Sequence, residues 1–272
     1  MRRLVGVLAA VLVLCAACTG SGNAQAPTTS STKGRTITLT SLGLDWPKAQ
    51  GELDPGRRPA TPAGFDDDTL DDMASILTDW SRVAAVDDAV WHSAAPIEQV
   101  ADAVPAPVAK ALRGRVSKLV SPRLSVGNVF ADDVTVVGSP MITTAWKVST
   151  QKDEDGKTFV LLELQTRAAY EVRVGSGPTR VIGMLRVQGL NAYPDTTKDD
   201  FGVSFGWQEF GAGDCALALD DDLVPDADLA ETRSDLETFQ RVGDTADLEM
   251  PDLDTDEQVD ADYLKRCRAG AV

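Results

Sequence analysis

The segment KTFVLLELQTRAAYEVRV, from Lys157 to Val174, constrains the fold more strongly than any other part of the chain. Successive side chains of a strand point to opposite faces, so every second residue shares a face. One of the two rows is almost wholly apolar and consists of Val160, Leu162, Leu164, Thr166, Ala168, Tyr170, Val172 and Val174. The other row becomes polar after Leu161. This alternation predicts a half-buried antiparallel strand.

The length of this segment predicts a curved sheet. Eighteen extended residues span about 60 Å, far more than an ordinary strand. We therefore expect a bend or bulge, and the small pair Ala168 and Ala169 is the position where it costs least. The apolar row should meet helices around Trp80 and Leu112, or line a cavity beneath them. The row with Glu163, Gln165 and Arg167 should face solvent or a partner.

The elements on either side of this strand predict the fold class. Asp66 to Asp68 suit a helix N-terminus, and an apolar stripe at helical spacing follows: Leu70, Met73, Leu77, Trp80 and Ala84. Further short helices extend to about Val120, and the pattern then changes to period two. The chain is predicted to be α+β, with N-terminal helices packed on a curved antiparallel sheet over residues 64–215.

The order of helices followed by long strands resembles the NTF2-like (cystatin-like α+β) fold over roughly Asp66 to Cys215. The resemblance lies in element order and not in a sequence motif. It implies a cone with a helix-covered pocket, for which the natural lining is Trp146, Tyr170, Met184 and Trp207. The alternative is that these four side chains are simply core. Members of the fold include isomerases, dehydratases and non-catalytic binding domains, so the fold does not select a function.

The N-terminus predicts export from the cytoplasm. Arg2 and Arg3 precede an apolar run of eleven residues, Leu4 to Leu14, which is the length of a secretory signal and too short for a membrane span. The following Cys15-Ala16-Ala17-Cys18 resembles the lipobox of bacterial lipoproteins, although that family usually has leucine where Cys15 stands. The resemblance implies cleavage of a signal peptide over residues 1–17 and lipid attachment to Cys18. The protein would then lie on the outer face of the cytoplasmic membrane. An ordinary cleaved signal peptide is the alternative.

Two further segments flank the predicted domain. Residues 18–63 are rich in Thr, Ser, Pro and Gly and are predicted to be a flexible tether, in which Leu42, Leu44 and Trp46 are candidates for docking on the domain. Residues 216–272 form an acidic C-terminal segment. Outside the cytoplasm, the pair Cys215 and Cys267 is predicted to form a disulfide that ties this segment back to the sheet.

Charge and residue types limit the possible ligands. The formal net charge is −16, and it becomes −18 if Arg2 and Arg3 are removed with the signal peptide, so nucleic-acid binding is disfavoured. One histidine, His92, and a paired cysteine set do not predict a zinc site, and no cofactor is predicted. Calcium stays open at Asp252, Asp254 and Asp256 and at the second acidic cluster of Asp220, Asp221, Asp222, Asp226 and Asp228, with a solvated acidic segment as the default.

These patterns favour a membrane-anchored extracytoplasmic lipoprotein whose domain binds an unknown protein or small molecule without catalysis. One alternative is a secreted enzyme that uses a pocket carboxylate or Tyr170. Another is a structural accessory module of a cell-envelope assembly. The basic residues Lys110, Arg113, Arg115, Lys118 and Arg123 are predicted to form a solvated helix face rather than a binding surface.

Overall fold

A computed structural model describes residues 37–117, 119, 121–197, 200–241 and 261–269. Within these ranges, most helices precede an antiparallel sheet and the rest follow it. The helices are α1 (Leu39–Leu42), α2 (Asp67–Val86), α3 (Asp88–Trp91), α4 (Pro96–Asp102), α5 (Ala106–Val116), α6 (Pro122–Val126), α7 (Asp214–Asp220), α8 (Leu229–Arg241) and α9 (Ala261–Arg268). The strands are β1 (Val134–Val136), β2 (Met141–Lys152), β3 (Thr158–Val174), β4 (Arg180–Ala192) and β5 (Gly202–Phe210). The α+β class predicted from the sequence is confirmed.

The long predicted strand is β3, and it lies at the centre of the sheet. β1 and β2 pair with one edge of β3, β4 pairs with its other edge, and β5 pairs with the far side of β4. All of these pairings are antiparallel. The β2–β3 ladder runs without interruption from Met141 opposite Ala169 to Lys152 opposite Thr158.

No bulge interrupts β3 at Ala168 and Ala169, because the β3–β4 ladder continues through both residues and the β2–β3 ladder keeps its register up to Ala169. The bend predicted at this position stays a prediction. The irregularity lies instead between β1 and β2. Val136 pairs with Val172 and Met141 pairs with Ala169, so four residues of this edge face two residues of β3. Gly138 lies within the insertion and has a φ of 73°, a conformation that glycine adopts at little steric cost.

One face of the sheet, here called the inner face, is packed against α2 to α6. The predicted apolar row of β3 is buried there from Val160 to Val172. The predicted stripe of α2 is likewise buried, and its Trp80 ring meets Phe205 of β5 edge-on at 6.0 Å. The helix begins where Asp66 accepts a hydrogen bond from the Thr69 N–H at 3.1 Å. The expected contact between this row and the helices is confirmed.

The opposite, outer face is partly covered by the chain itself, whereas its β3 row was expected to face solvent or a partner. Gln165 and Ala169 are buried, and a second hydrophobic cluster covers one part of this face. Its members are Ile37, Leu39, Ala169, Val181, Leu185, Phe210, Leu236 and Phe239. A Cβ at Gly183 would lie 2.8 Å from the Phe239 ring, so glycine lets α8 approach the sheet closely.

The described chain is packed from its first residue. Ile37 and Leu39 are buried, and Leu42, Leu44 and Trp46 pack against the same outer cluster. The Leu39 N–H donates to Glu171 of β3 at 2.9 Å. Folded structure therefore begins well before residue 63, the boundary predicted for the tether, because these apolar side chains cover the outer face.

The Cys215–Cys267 disulfide joins α7 to α9. Cys267 is buried. The prediction of this disulfide is confirmed. The residues between α8 and α9, 242–260, lie outside the described ranges, as do Cys18 and the signal segment.

Candidate functional site

The four residues predicted to line a pocket all lie on the inner face, one on each of β2, β3, β4 and β5. Tyr170 and Met184 are fully buried, whereas Trp146 and Trp207 are partly buried and pack against the core. The sheet therefore brings these residues to one face. The surface depressions described below are lined by other residues.

Tyr170 is held by hydrogen bonds within the core. Its hydroxyl donates to the Ala85 carbonyl and accepts from Nδ2 of Asn128 at 2.6 Å. The rings of Trp91 and Phe130 stand edge-on to it at 6.0 and 5.2 Å. Burial raises the pKa of Tyr170 well above its ordinary value, so the phenol stays protonated. The Tyr170 hydroxyl therefore links β3 to α2 through Ala85 and to the chain after α6 through Asn128.

Arg186 is a fully buried cation on β4 that the sequence interpretation missed. Its Nε donates to Oδ1 of Asn128 at 2.5 Å, and its two terminal nitrogens donate to the carbonyls of Ser125 at 3.3 Å and Leu124 at 2.5 Å. Burial lowers the pKa of Arg186 to about 10, which still leaves it charged at neutral pH. A signal was present in the sequence, because Arg186 has the same strand phase as Met184.

Asp221 contacts the other end of α6, the helix whose Leu124 and Ser125 carbonyls accept from Arg186. Its carboxylate accepts hydrogen bonds from the backbone N–H of Arg123 at 2.5 Å and of Leu124 at 3.4 Å, which are the first two N–H groups of α6. α6 therefore lies between a carboxylate at its N-terminus and the Arg186 guanidinium at its last carbonyls. Both charges have the sign that stabilises a helix end. The two residues together fix α6 against the sheet.

Two residues of the predicted acidic cluster, Asp221 and Asp222, contact α6. Asp221 caps α6, and Asp222 forms an ion pair with Arg123. Within the described ranges, no group of His, Cys, Asp or Glu residues is arranged to hold a metal ion. The other candidate calcium sequence, Asp252, Asp254 and Asp256, lies outside these ranges.

The prediction that the basic residues form one solvated helix face is wrong for Arg115 and Arg123, which are partly buried, whereas Lys110 and Arg113 are exposed. Arg113 pairs with Glu98 at 2.6 Å, and Arg115 donates to the Val203 carbonyl and lies over the Phe205 ring. His92 is exposed, with its Nδ1 atom 3.3 Å from the Phe130 carbonyl oxygen. Lys118 lies outside the described ranges.

Replacing Asp221 by asparagine is expected to remove a pH-dependent loss of stability. Burial raises the pKa of Asp221 from 3.8 to about 6, so the folded state binds this proton more tightly than the unfolded state. The resulting stabilisation is complete below about pH 4 and is lost as the pH rises through 6. Because the carboxyl is partly exposed, we expect about 1 kcal/mol.

Urea unfolding of wild type and Asp221→Asn at pH 4.5 and 7.5 measures this effect. The wild type should lose stability relative to the variant as the pH rises. A variant that is more strongly destabilised at pH 7.5 than at pH 4.5 would show that the contacts of the ionised carboxylate with α6 outweigh the cost of burying its charge.

Two surface depressions lie at the β1–β2 edge of the sheet. Residues Pro47 to Ala49 pair with this edge through a bridge between Lys48 and Met141. One depression, of about 260 Å³, is lined on the β2 side by Ile142 and Thr144 and on the other by residues of the 47–54 segment. A second, of about 440 Å³, lies on the other side of Ala49 and Gln50, against Trp91 and the 138–140 insertion. Both depressions therefore adjoin the segment that pairs with this edge.

No protein-family model, curated protein or solved structure matched this chain. Among the described residues, no helix combines the length and apolar character needed to cross a membrane. The interpretation therefore depends on the residues themselves.

Proposed function

We propose that this protein is an extracytoplasmic lipoprotein, anchored to the outer face of the cytoplasmic membrane through Cys18, whose folded domain binds a ligand or partner without catalysis. The N-terminal sequence carries the proposal: Arg2 and Arg3, the apolar run Leu4 to Leu14 and the lipobox-like Cys15 to Cys18. Diacylglycerol on Cys18 with a further acyl chain would supply the two hydrophobic chains that stable anchoring needs.

The disulfide supports exposure to an oxidising compartment. Disulfides persist outside the cytoplasm and are rare inside it, where thiols are kept reduced. Cys215 and Cys267 are bonded across 52 residues of sequence. Their pairing fits a protein that folds after export.

We also propose that the α+β body is NTF2-like. Helices before the sheet, a long central β3 and helices on the inner face support this assignment. A second layer on the outer face, formed by α1 and α8, is an addition to the expected cone.

The enzyme alternative is less well supported by the geometry. It requires a pocket carboxylate or a reactive Tyr170. Tyr170 is buried and hydrogen-bonded at its oxygen and its proton. Burial also raises the pKa of Asp221, but its oxygens accept backbone N–H groups of α6. A partner-binding role requires neither group to react.

Labelling cells with a clickable fatty acid tests the anchor. The full chain should incorporate the label and remain with the membrane fraction. Cys18→Ala should lose at least about 90% of the label, because Cys18 is the single proposed attachment site. Cys15→Ala is the matched control, since it removes the neighbouring cysteine and should stay labelled. Labelling of Cys18→Ala at the wild-type level would refute the lipoprotein proposal.

A further inference from the structure

The edge of β2 presents backbone hydrogen-bonding groups away from the sheet. Ile142 faces Ala168 in β3, yet its N–H donates outward to the Pro47 carbonyl at 2.9 Å. The N–H and C=O of one strand residue point to the same side, and those of alternate residues repeat this direction. The outward groups therefore continue at Thr144, Trp146, Val148 and Thr150. Within the described ranges, these four residues have no backbone partner on that side.

A short segment of the chain already pairs with the start of this edge. The Ala49 N–H donates to the Pro140 carbonyl at 2.9 Å, and Lys48 bridges to Met141. The chain then leaves the backbone edge, although the Gly56 carbonyl still accepts from Trp146 Nε1 at 3.3 Å. The 260 Å³ depression lies between this segment and Ile142 and Thr144. This local pairing shows that the edge accepts an extended segment and that space for a side chain remains beside it.

The side chains along the open edge differ between the two faces. On the inner face, Trp146 and Val148 are partly exposed and apolar. On the outer face, Lys147 is exposed and its amine lies 3.9 Å from Glu163. A strand added here would place apolar side chains beside Trp146 and Val148 and polar or acidic ones beside Lys147.

We propose that the β2 edge from Thr144 to Thr150 binds an extended segment of a partner protein by strand addition. The partner segment alternates apolar residues, beside Trp146 and Val148, with polar or acidic residues beside Lys147. One side chain at its end enters the depression next to Ile142 and Thr144. In strand addition, main-chain hydrogen bonds give affinity and pockets for alternate side chains give specificity. This inference rests on the proposed function, because it assigns a surface to the binding role.

Charge favours a different protein over a second copy of this chain. Two copies would each bring a formal net charge of −16. An antiparallel β2–β2 pair centred on this edge would also bring Lys147 close to its own equivalent, and lysines on edge strands oppose such pairing. A segment of a different protein need not carry a large negative charge, and an acidic residue opposite Lys147 avoids the contact between two lysines.

A phage-displayed library of random twelve-residue peptides, selected on the detergent-solubilised full chain, tests the proposal. The variants Val148→Pro and Thr150→Pro each remove one outward N–H and no β2–β3 hydrogen bond. Val148→Ala and Thr150→Ala are matched controls that keep the N–H. Selected peptides should show the apolar and polar alternation, and should bind the proline variants at least tenfold more weakly than the alanine variants.

A charge variant keeps the test informative if a proline variant does not fold. Lys147→Glu leaves the backbone unchanged and should weaken peptides that carry an acidic residue by at least threefold, with little effect on neutral ones. The proposal is overturned if no peptide is selected, or if the selected peptides bind proline and alanine variants equally. It is also overturned if the chain dimerises through this edge, seen as concentration-dependent dimers that Val148→Pro abolishes. Labelling at Cys18 is measured separately, so failure here leaves the anchor proposal intact.

Discussion

Replacing Arg186 by alanine is expected to lower the free energy of unfolding by about 4 kcal/mol, the largest single-residue effect that we predict for this protein. The guanidinium fills buried space between β4 and α6 and donates to Asn128 and to the carbonyls of Leu124 and Ser125. Its removal creates a cavity and leaves three buried acceptors without their donor. Each unpaired group costs about 1–3 kcal/mol.

Arg186→Met separates these two causes. Methionine fills a similar volume without charge and leaves the same acceptors unpaired, so the expected loss is smaller, about 3 kcal/mol. Urea unfolding followed by far-ultraviolet circular dichroism gives both values. If the stability of both variants is within about 1 kcal/mol of wild type, Arg186 does not hold α6. The inference that Asp221 and Arg186 together fix α6 against the sheet would then be wrong.

A double-mutant cycle with Tyr170→Phe tests whether the cluster acts as a unit. Tyr170 and Arg186 are linked through Asn128, which donates to the Tyr170 hydroxyl and accepts from Arg186 Nε. Linked polar groups in a protein interior polarise one another. The two substitutions should therefore deviate from additivity by more than about 0.5 kcal/mol.

Local periodicity predicted the main elements because one face of each is buried. The α2 stripe and the apolar row of β3 repeat with the periods of a helix and a strand, and both rows are buried. The fold class follows from their order along the chain. Short-range patterns of this kind are readable without knowledge of tertiary contacts.

The outer layer could not be predicted in the same way. Ala169 is buried because Ile37, Leu39 and Phe239 come from distant parts of the sequence to form a cluster with it. Nothing in the local pattern of β3 specifies this cover. The local pattern of β3 also did not indicate where the ladder is interrupted. The interruption lies in the neighbouring edge, in the insertion with Gly138 between β1 and β2, and not in β3.

The buried charges were overlooked for a different reason. Arg186 shares the phase of apolar neighbours, and the usual rule places arginine at the surface. It donates to backbone carbonyls of α6, and no side-chain motif in the sequence indicates such a contact. Asp221 was considered with its neighbours as a solvated acidic segment or a calcium site. Its contact with the first N–H groups of α6, about 100 residues earlier, required the structure.

Breaking the Cys215–Cys267 disulfide is expected to release α9 while α8 stays on the sheet. In α9, Cys267 is buried, whereas Lys265, Arg266 and Arg268 are exposed. In α8, Leu236 and Phe239 are fully buried in the outer cluster, so its attachment does not depend on the bond. Reduction should therefore remove amide protection from α9 and leave α8 unchanged.

The same argument limits the effect on global stability. A cross-link closing about 50 residues is worth about 4 kcal/mol if it constrains the unfolded chain alone. Here the reduced native state also gains freedom, since α9 is released, so the expected loss is about half of that. This corresponds to a fall in Tm of about 4–8 °C.

Hydrogen–deuterium exchange and thermal unfolding of the Cys215→Ala/Cys267→Ala variant, compared with wild type before and after reduction, measure both effects. Reduced wild type should match the variant, and the variant should not respond to the reductant. If α9 keeps its protection in the variant, contacts other than the disulfide hold it. If α8 loses protection together with α9, the two helices form one cooperative unit, and the independent attachment of α8 through Leu236 and Phe239 is wrong.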